Sequence, residues 1–157
     1  MQLFGHPLHP AVVHFPIALL GTSLAFDLAG IVRGEELWWT IAFWNVAVGL
    51  ATAAVAAITG LADALQIEGD PPATRKAIRH LVAVVSAVIC YAASLVVRGG
   101  SAAPEGITMG WVLAIEVLGL GLLLLGGWLG GELVYGTSEP TPEVEAAPIA
   151  AADPPRH

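Results

Sequence analysis

The sequence predicts an all-α integral membrane protein, a four-helix bundle of up-down topology. Composition is the first reason: of 157 residues, 56% are hydrophobic and only 12% are charged. Soluble domains average about 45–50% and about 25%. Mean hydropathy, at +0.75, is the second. The third is that the apolar residues gather into four segments separated by breakers, each near the roughly 20 residues that cross the hydrocarbon of a bilayer.

The first span is expected from Ala11 to Val32, the second from Leu37 to Ala62, the third from Leu81 to Val97 and the fourth from Ile107 to Gly131. Between them lie Arg33-Gly34-Glu35-Glu36, Glu68-Gly69-Asp70-Pro71-Pro72 and Arg98-Gly99-Gly100-Ser101, rich in turn-forming residues. Indole rings prefer the membrane interface, so Trp38, Trp39 and Trp111 are expected at one boundary and Trp128 with Tyr135 at the other. Residues 1–136 then form one four-span transmembrane domain. Residues 137–157, rich in Pro, Ala and Glu, form a disordered acidic tail. No basic stretch of the signal-peptide kind opens the chain, so the first span is expected to stay in the mature fold.

Charge narrows the partners. The net charge is −7, much of it in the tail, and only six Lys and Arg are present without a basic patch. That pattern excludes nucleic acid and leaves the lipid bilayer as the expected partner. Cys90 is the single cysteine, so an internal disulfide and a CxxC metal or redox motif are both excluded; it reads as a small buried apolar residue. Arg75, Lys76 and Arg79 share the second connection, on the side of both termini, against Arg33 and Arg98 on the other. With Arg156 in the tail, the positive-inside rule places both termini in the cytoplasm.

Function is sought where polar groups meet the membrane, because ionisable side chains at that depth are costly and mark sites. His6, His9 and His14 open the first span, Asp63 closes the second, His80 opens the third and Glu132 closes the fourth. In an up-down bundle all six fall at one rim. Neutral imidazoles of His14 and His80, on diagonal helices, could serve as axial ligands of a b-type haem. Alternatively His6, His9, His14 and His80, with Asp63 or Glu132, could ligate a transition metal ion. A purely structural rim is the third reading: His9 caps the first helix ahead of Pro10, and His14 bonds a carbonyl freed by Pro16.

Toward the other face, Asp27, Asn45, Arg98 and Glu116 make up an expected intramembrane polar network. Helical spacing puts Asn45, Thr52, Thr59 and Asp63 on one stripe of the second span, and His80, Tyr91, Ser94 and Arg98 on one stripe of the third. The small residues Ala18, Gly21 and Ala25 lie below His14 in the first. Arg98 near both acids would offset the cost of burying them; the rival reading is a proton or ion relay through Asp27 or Glu116. No Ser-His-Asp constellation is visible, so a hydrolase is not expected.

The runs HPLHPAVVHFPIALL (His6 to Leu20), TGLADA (Thr59 to Ala64), Arg79-His80 and GWLGGELVYG (Gly127 to Gly136), with Asp27, together resemble the bacterial membrane-protein family called domain of unknown function 2231. The resemblance covers nearly all of the chain up to Gly136. It implies a four-helix protein of the bacterial inner membrane, with family motif positions at His6, His9, His14, Asp27, Asp63, His80, Glu132 and Tyr135 and no established catalytic role for any of them. Relatives joined to, or encoded beside, cytochrome c or Rieske domains imply a redox partner. The expectation is a cofactor-binding membrane subunit, holding b-haem or a metal, in electron transfer and not an enzyme on its own. A small transporter or a scaffold subunit is the alternative, and oligomerisation is left open.

Overall fold

A computed structural model describes residues 2–3, 6–64 and 71–135, with side chains from His9 onward apart from Pro10, Asp63, Ala64 and Tyr135. A two-residue ladder pairs β1 (Gln2–Leu3) with β2 (His6–Pro7). Five helices follow: α1 (Leu8–Val12), α2 (His14–Arg33), α3 (Glu36–Ala64), α4 (Pro71–Arg98) and α5 (Ile107–Tyr135).

Local chemistry explains the boundaries. Pro16 has no N–H to give Val12, so the ladder is interrupted between α1 and α2. Val13 stays right-handed, its N–H on His9 O at 3.1 Å, and the chain runs on with little change. Gly34 ends α2 in the left-handed conformation (φ 70°), its N–H on Gly30 O at 2.8 Å; only glycine takes this shape without strain. Gly99 (φ 71°) does the same after α4. The third span departs from expectation: α4 begins at Pro71, a whole polar stretch before Leu81. Proline fits the first helical positions, so Pro71-Pro72, read as a breaker, instead starts a helix whose opening turns carry Arg75, Lys76 and Arg79. The fourth span likewise runs past Gly131 to Tyr135.

Four helices are long and apolar enough to cross a membrane, with hydropathies between 1.8 and 2.3. At about 1.5 Å per residue, the 20 residues of α2 span roughly the hydrocarbon thickness. The outside of the bundle is apolar: Val32, Ile58, Val96, Ile107 and Leu124 are all exposed. The inside mixes small and larger apolar residues with buried Ser23, Asp27, Ser94, Arg98 and Glu116; small and polar residues are the usual contacts between membrane helices.

α2 packs extensively along α3, and α4 along α5; contacts of α3 with α4 and of α2 with α5 are sparser. The bundle is thus two antiparallel hairpins with α2 and α4 on a diagonal. Glycines seat each hairpin. A Cβ at Gly30 would lie 2.4 Å from the Trp39 ring, one at Gly49 2.7 Å from Leu20, and one at Gly60 2.6 Å from His9. In the second hairpin Gly119 meets Tyr91, Gly126 meets Val84 and Gly130 meets His80. Within each hairpin the register is constant: 30 with 39, 20 with 49 and 9 with 60, then 91 with 119, 84 with 126 and 80 with 130. Trp39, in the first turn of α3, turns inward and is buried against Gly30, where a Cβ would collide with its ring.

The two hairpins are equivalent. A shift of 71 takes His9, Leu20, Ser23 and Asp27 to His80, Tyr91, Ser94 and Arg98. A shift of 70 takes Ala42, Val46, Gly49, Ala53, Ala56 and Gly60 to Val112, Glu116, Gly119, Leu123, Gly126 and Gly130. Each pair from Leu20/Tyr91 to Ala56/Gly126 is buried in both halves. Both hairpins start on the same side, so their pseudo-two-fold axis runs along the membrane normal, as in parallel-repeat membrane proteins.

Candidate functional site

A buried ionic cluster lies where that axis passes between α2, α4 and α5. Asp27, Glu116, Ser23 and Ser94 are fully buried and Arg98 is 6% exposed. Side chains on a helix lean toward its N-terminus. Arg98, the last residue of α4, therefore folds back into the bundle, while Glu116 on antiparallel α5 leans the opposite way to meet it. Arg98 Nη1 donates to Asp27 Oδ1 at 2.8 Å and Nη2 donates to Asp27 Oδ2, a bidentate pair. Nη2 also donates to Glu116 Oε1 at 2.9 Å, and Ser94 Oγ donates to the same oxygen at 2.8 Å. Such planar two-point pairing is the strongest arrangement a guanidinium offers a carboxylate. Asp27 and Arg98 occupy equivalent positions, so their bond crosses the pseudo-two-fold axis.

Below this cluster the core turns apolar. Leu20, Val46, Ala87 and Leu123 pack with the Tyr91 ring into one cluster. The Tyr91 hydroxyl is buried without a hydrogen bond among the described residues. This layer separates the ionic cluster from the histidine rim.

At the rim the two hairpins repeat one device. His9 Nδ1 lies 3.0 Å from Ala56 O and 3.3 Å from Thr59 Oγ1; His80 Nδ1 lies 2.8 Å from Gly126 O. A carbonyl only accepts, so Nδ1 carries the hydrogen in both rings, and Nε2 is the nitrogen that in a neutral imidazole holds the lone pair. Each imidazole rests on a glycine one turn beyond its acceptor, Gly60 or Gly130. His9 and Asp27 are 18 residues apart, five helical turns, as are His80 and Arg98. Both histidines therefore lie on the faces that carry the axial ion pair.

The other expected site residues lie apart from these two groups. His14 is exposed on α2, five residues and about 140° around from His9; the structure does not turn it toward the core. Ala18 and Ala25 are exposed with it, so the inward stripe of α2 is Pro16, Leu20, Ser23, Asp27 and Gly30. Asn45 is outside the ionic cluster; its Nδ2 donates to Thr22 Oγ1 at 3.0 Å. Thr52 bonds carbonyls of its own helix, and Thr59 is buried. Glu132 is half-buried at the end of α5. The side chains of His6, Asp63 and Tyr135 lie outside the described residues. Among the described residues, no three of His, Cys, Asp and Glu gather as a metal site would require. Sequence reasoning missed the seat of His9 against α3 and the role of Ser23; the 71-residue offset to His80 and Ser94 was the available signal.

Fold and core together define a multi-pass membrane protein of four spans, built from two equivalent hairpins around a buried ionic centre. The family model described as "Predicted membrane protein (DUF2231)" matches residues 5–138, and the chain belongs to that family. No curated protein and no solved structure matches it.

Proposed function

We infer that this membrane protein is a cofactor-carrying subunit of an electron-transfer system, with a b-type haem held between His9 and His80. The observation that carries the reading is the matched pair of imidazoles. Metal-bound histidines usually donate their second ring N–H to a carbonyl or carboxylate, which fixes the ring and leaves the other nitrogen to the metal. His9 and His80 have that arrangement, at equivalent positions on diagonal helices, and a bis-imidazole haem has matching two-fold symmetry about its axial ligands. Small side chains, Ala53, Ala56 and Ala83, are buried in the core near this level. This reading moves the first axial ligand from His14 to His9. The histidine rim and both termini lie on the cytoplasmic side in this reading, where a redox partner would dock. Transport is the less supported use of the fold, since the apolar layer interrupts any polar path along the axis.

The test is the visible spectrum of the full chain, expressed with haem supplied and purified in mild detergent, oxidised and then reduced. We expect a Soret band with sharp reduced α and β bands, lost in His9→Ala and in His80→Ala and kept in His14→Ala. A colourless protein that also fails to bind added hemin would sink the haem reading and leave the imidazoles as clamps that close each hairpin.

A further inference from the structure

We propose that the ionic cluster is a proton-binding site, with Glu116 held as the neutral acid and its proton on Oε2, donated to Ser23 Oγ. Two independent observations lead there. The first is a count of hydrogens. Ser23 Oγ lies 2.8 Å from Leu20 O and 3.4 Å from Glu116 Oε2. A hydroxyl has one hydrogen, and Leu20 O, a carbonyl without hydrogen, can only accept it at the shorter distance. With its hydrogen on Leu20 O, Ser23 turns lone pairs to Oε2: a carboxylate oxygen there would meet no hydrogen, whereas a protonated Oε2 has Ser23 Oγ as its acceptor. Oε1 is in the opposite situation, accepting from both Ser94 and Arg98. One oxygen accepting two hydrogens and the other facing only lone pairs is the environment that suits a carboxylic acid.

The second observation is charge. Asp27 takes both ends of the Arg98 guanidinium and is the ionised partner. A second carboxylate would leave one uncompensated negative charge in a fully buried cluster, which low-dielectric surroundings strongly disfavour. The ionisable groups facing Glu116 are Asp27 from α2 with Arg98 and Tyr91 from α4. The buried residues of α3, from Trp39 to Thr59, include none. No second cation is therefore present in the described core to balance Glu116. A single proton closes both accounts, and it is independent of what the histidine rim holds.

Infrared difference spectroscopy of the full chain in lipid nanodiscs at neutral pH tests this. Wild type minus Glu116→Gln should show the carbonyl stretch of one carboxylic acid per chain, a band that moves when the protein is made with 13C-labelled glutamate. Ser23→Ala should keep the band and shift it to higher frequency, because the acid loses its acceptor; this arm holds even if Glu116→Gln fails to fold. A labelled spectrum without an acid band, showing Glu116 only as carboxylate, overturns the proposal. Thermal stability that rises with sodium concentration alongside such a carboxylate signal would assign the balancing charge to a bound cation and overturn it equally.

Discussion

The α2–α3 hairpin and the α4–α5 hairpin agree where helices of one hairpin touch and differ where the hairpins meet. Histidine on glycine, and Gly49 and Gly119, recur at equivalent positions. On the axis, Asp27 faces Arg98, Val46 corresponds to Glu116 and Leu20 to Tyr91. Two identical hairpins would bring like residues together across the axis, two acids or two guanidiniums. Charge complementarity at that point is what allows an equivalent pair to close into one bundle, and Glu116 is an addition that only the second hairpin carries.

The sharpest way to break the comparison is at the axis. Arg98→Leu, which strands Asp27 beside Glu116, should cost about 3–5 kcal/mol of stability, the usual penalty for removing one partner of a buried pair; Asp27→Leu should cost less, since Glu116 can give up its proton and pair with Arg98. The exchange Asp27→Arg with Arg98→Asp should be more stable than either single change, since it restores the pair in reverse. Thermal or denaturant unfolding in detergent reads these proteins together with the single changes Asp27→Arg and Arg98→Asp; an exchange as damaging as those two components combined would contradict the equivalence of the positions.

A smaller effect separates the two histidine seats. A Cβ at Gly60 would approach His9 to 2.6 Å, whereas one at Gly130 would stay 3.1 Å from His80. Gly60→Ala should therefore push the imidazole out of its cleft, at the scale of overpacking, about 1–3 kcal/mol. Gly130→Ala should cost less, because a Cβ there asks the ring to give by only a few tenths of an ångström. Equal losses would mean that the clefts are equally tight. The smallest effect concerns a bond present only in the first hairpin, from Asn45 to Thr22; the equivalent positions are Ile115 and Ala93. Asn45→Ile makes the first hairpin resemble the second and should cost about 0.6 kcal/mol, the average for a side-chain hydrogen bond between membrane helices.

Much of this architecture was legible in the sequence. Four apolar runs with charged breakers require four spans, and the order of the spans puts the histidines at one rim. Helical spacing also joined Tyr91, Ser94 and Arg98 to one face. The inward face of α2 was misjudged because small residues mark helix contacts in membranes, and His14-Ala18-Gly21-Ala25 looked like such a contact. The face that wins carries Ser23 and Asp27, which have the most to lose in lipid. Asn45 was assigned to the polar network by its type, yet an amide can be satisfied by one hydroxyl on the neighbouring helix and need not reach the axis. The start of α4 was hidden by Pro71-Pro72, since the same dipeptide ends a helix before it or starts one after it. The repeat was hardest to see, because shared burial pattern, not shared residue type, carries most of it.

The division into hairpins has a mechanical meaning. Each hairpin is interlocked along its length by side chains set in glycine clefts, while the hairpins hold each other by sparser contacts, the apolar layer of Leu20, Val46, Ala87, Tyr91 and Leu123, and one ionic knot near the end opposite the histidines. Such an object behaves as two stiff plates joined by one apolar layer and one ion pair, so a change at the axis alters how one plate sits on the other before it alters the packing within either.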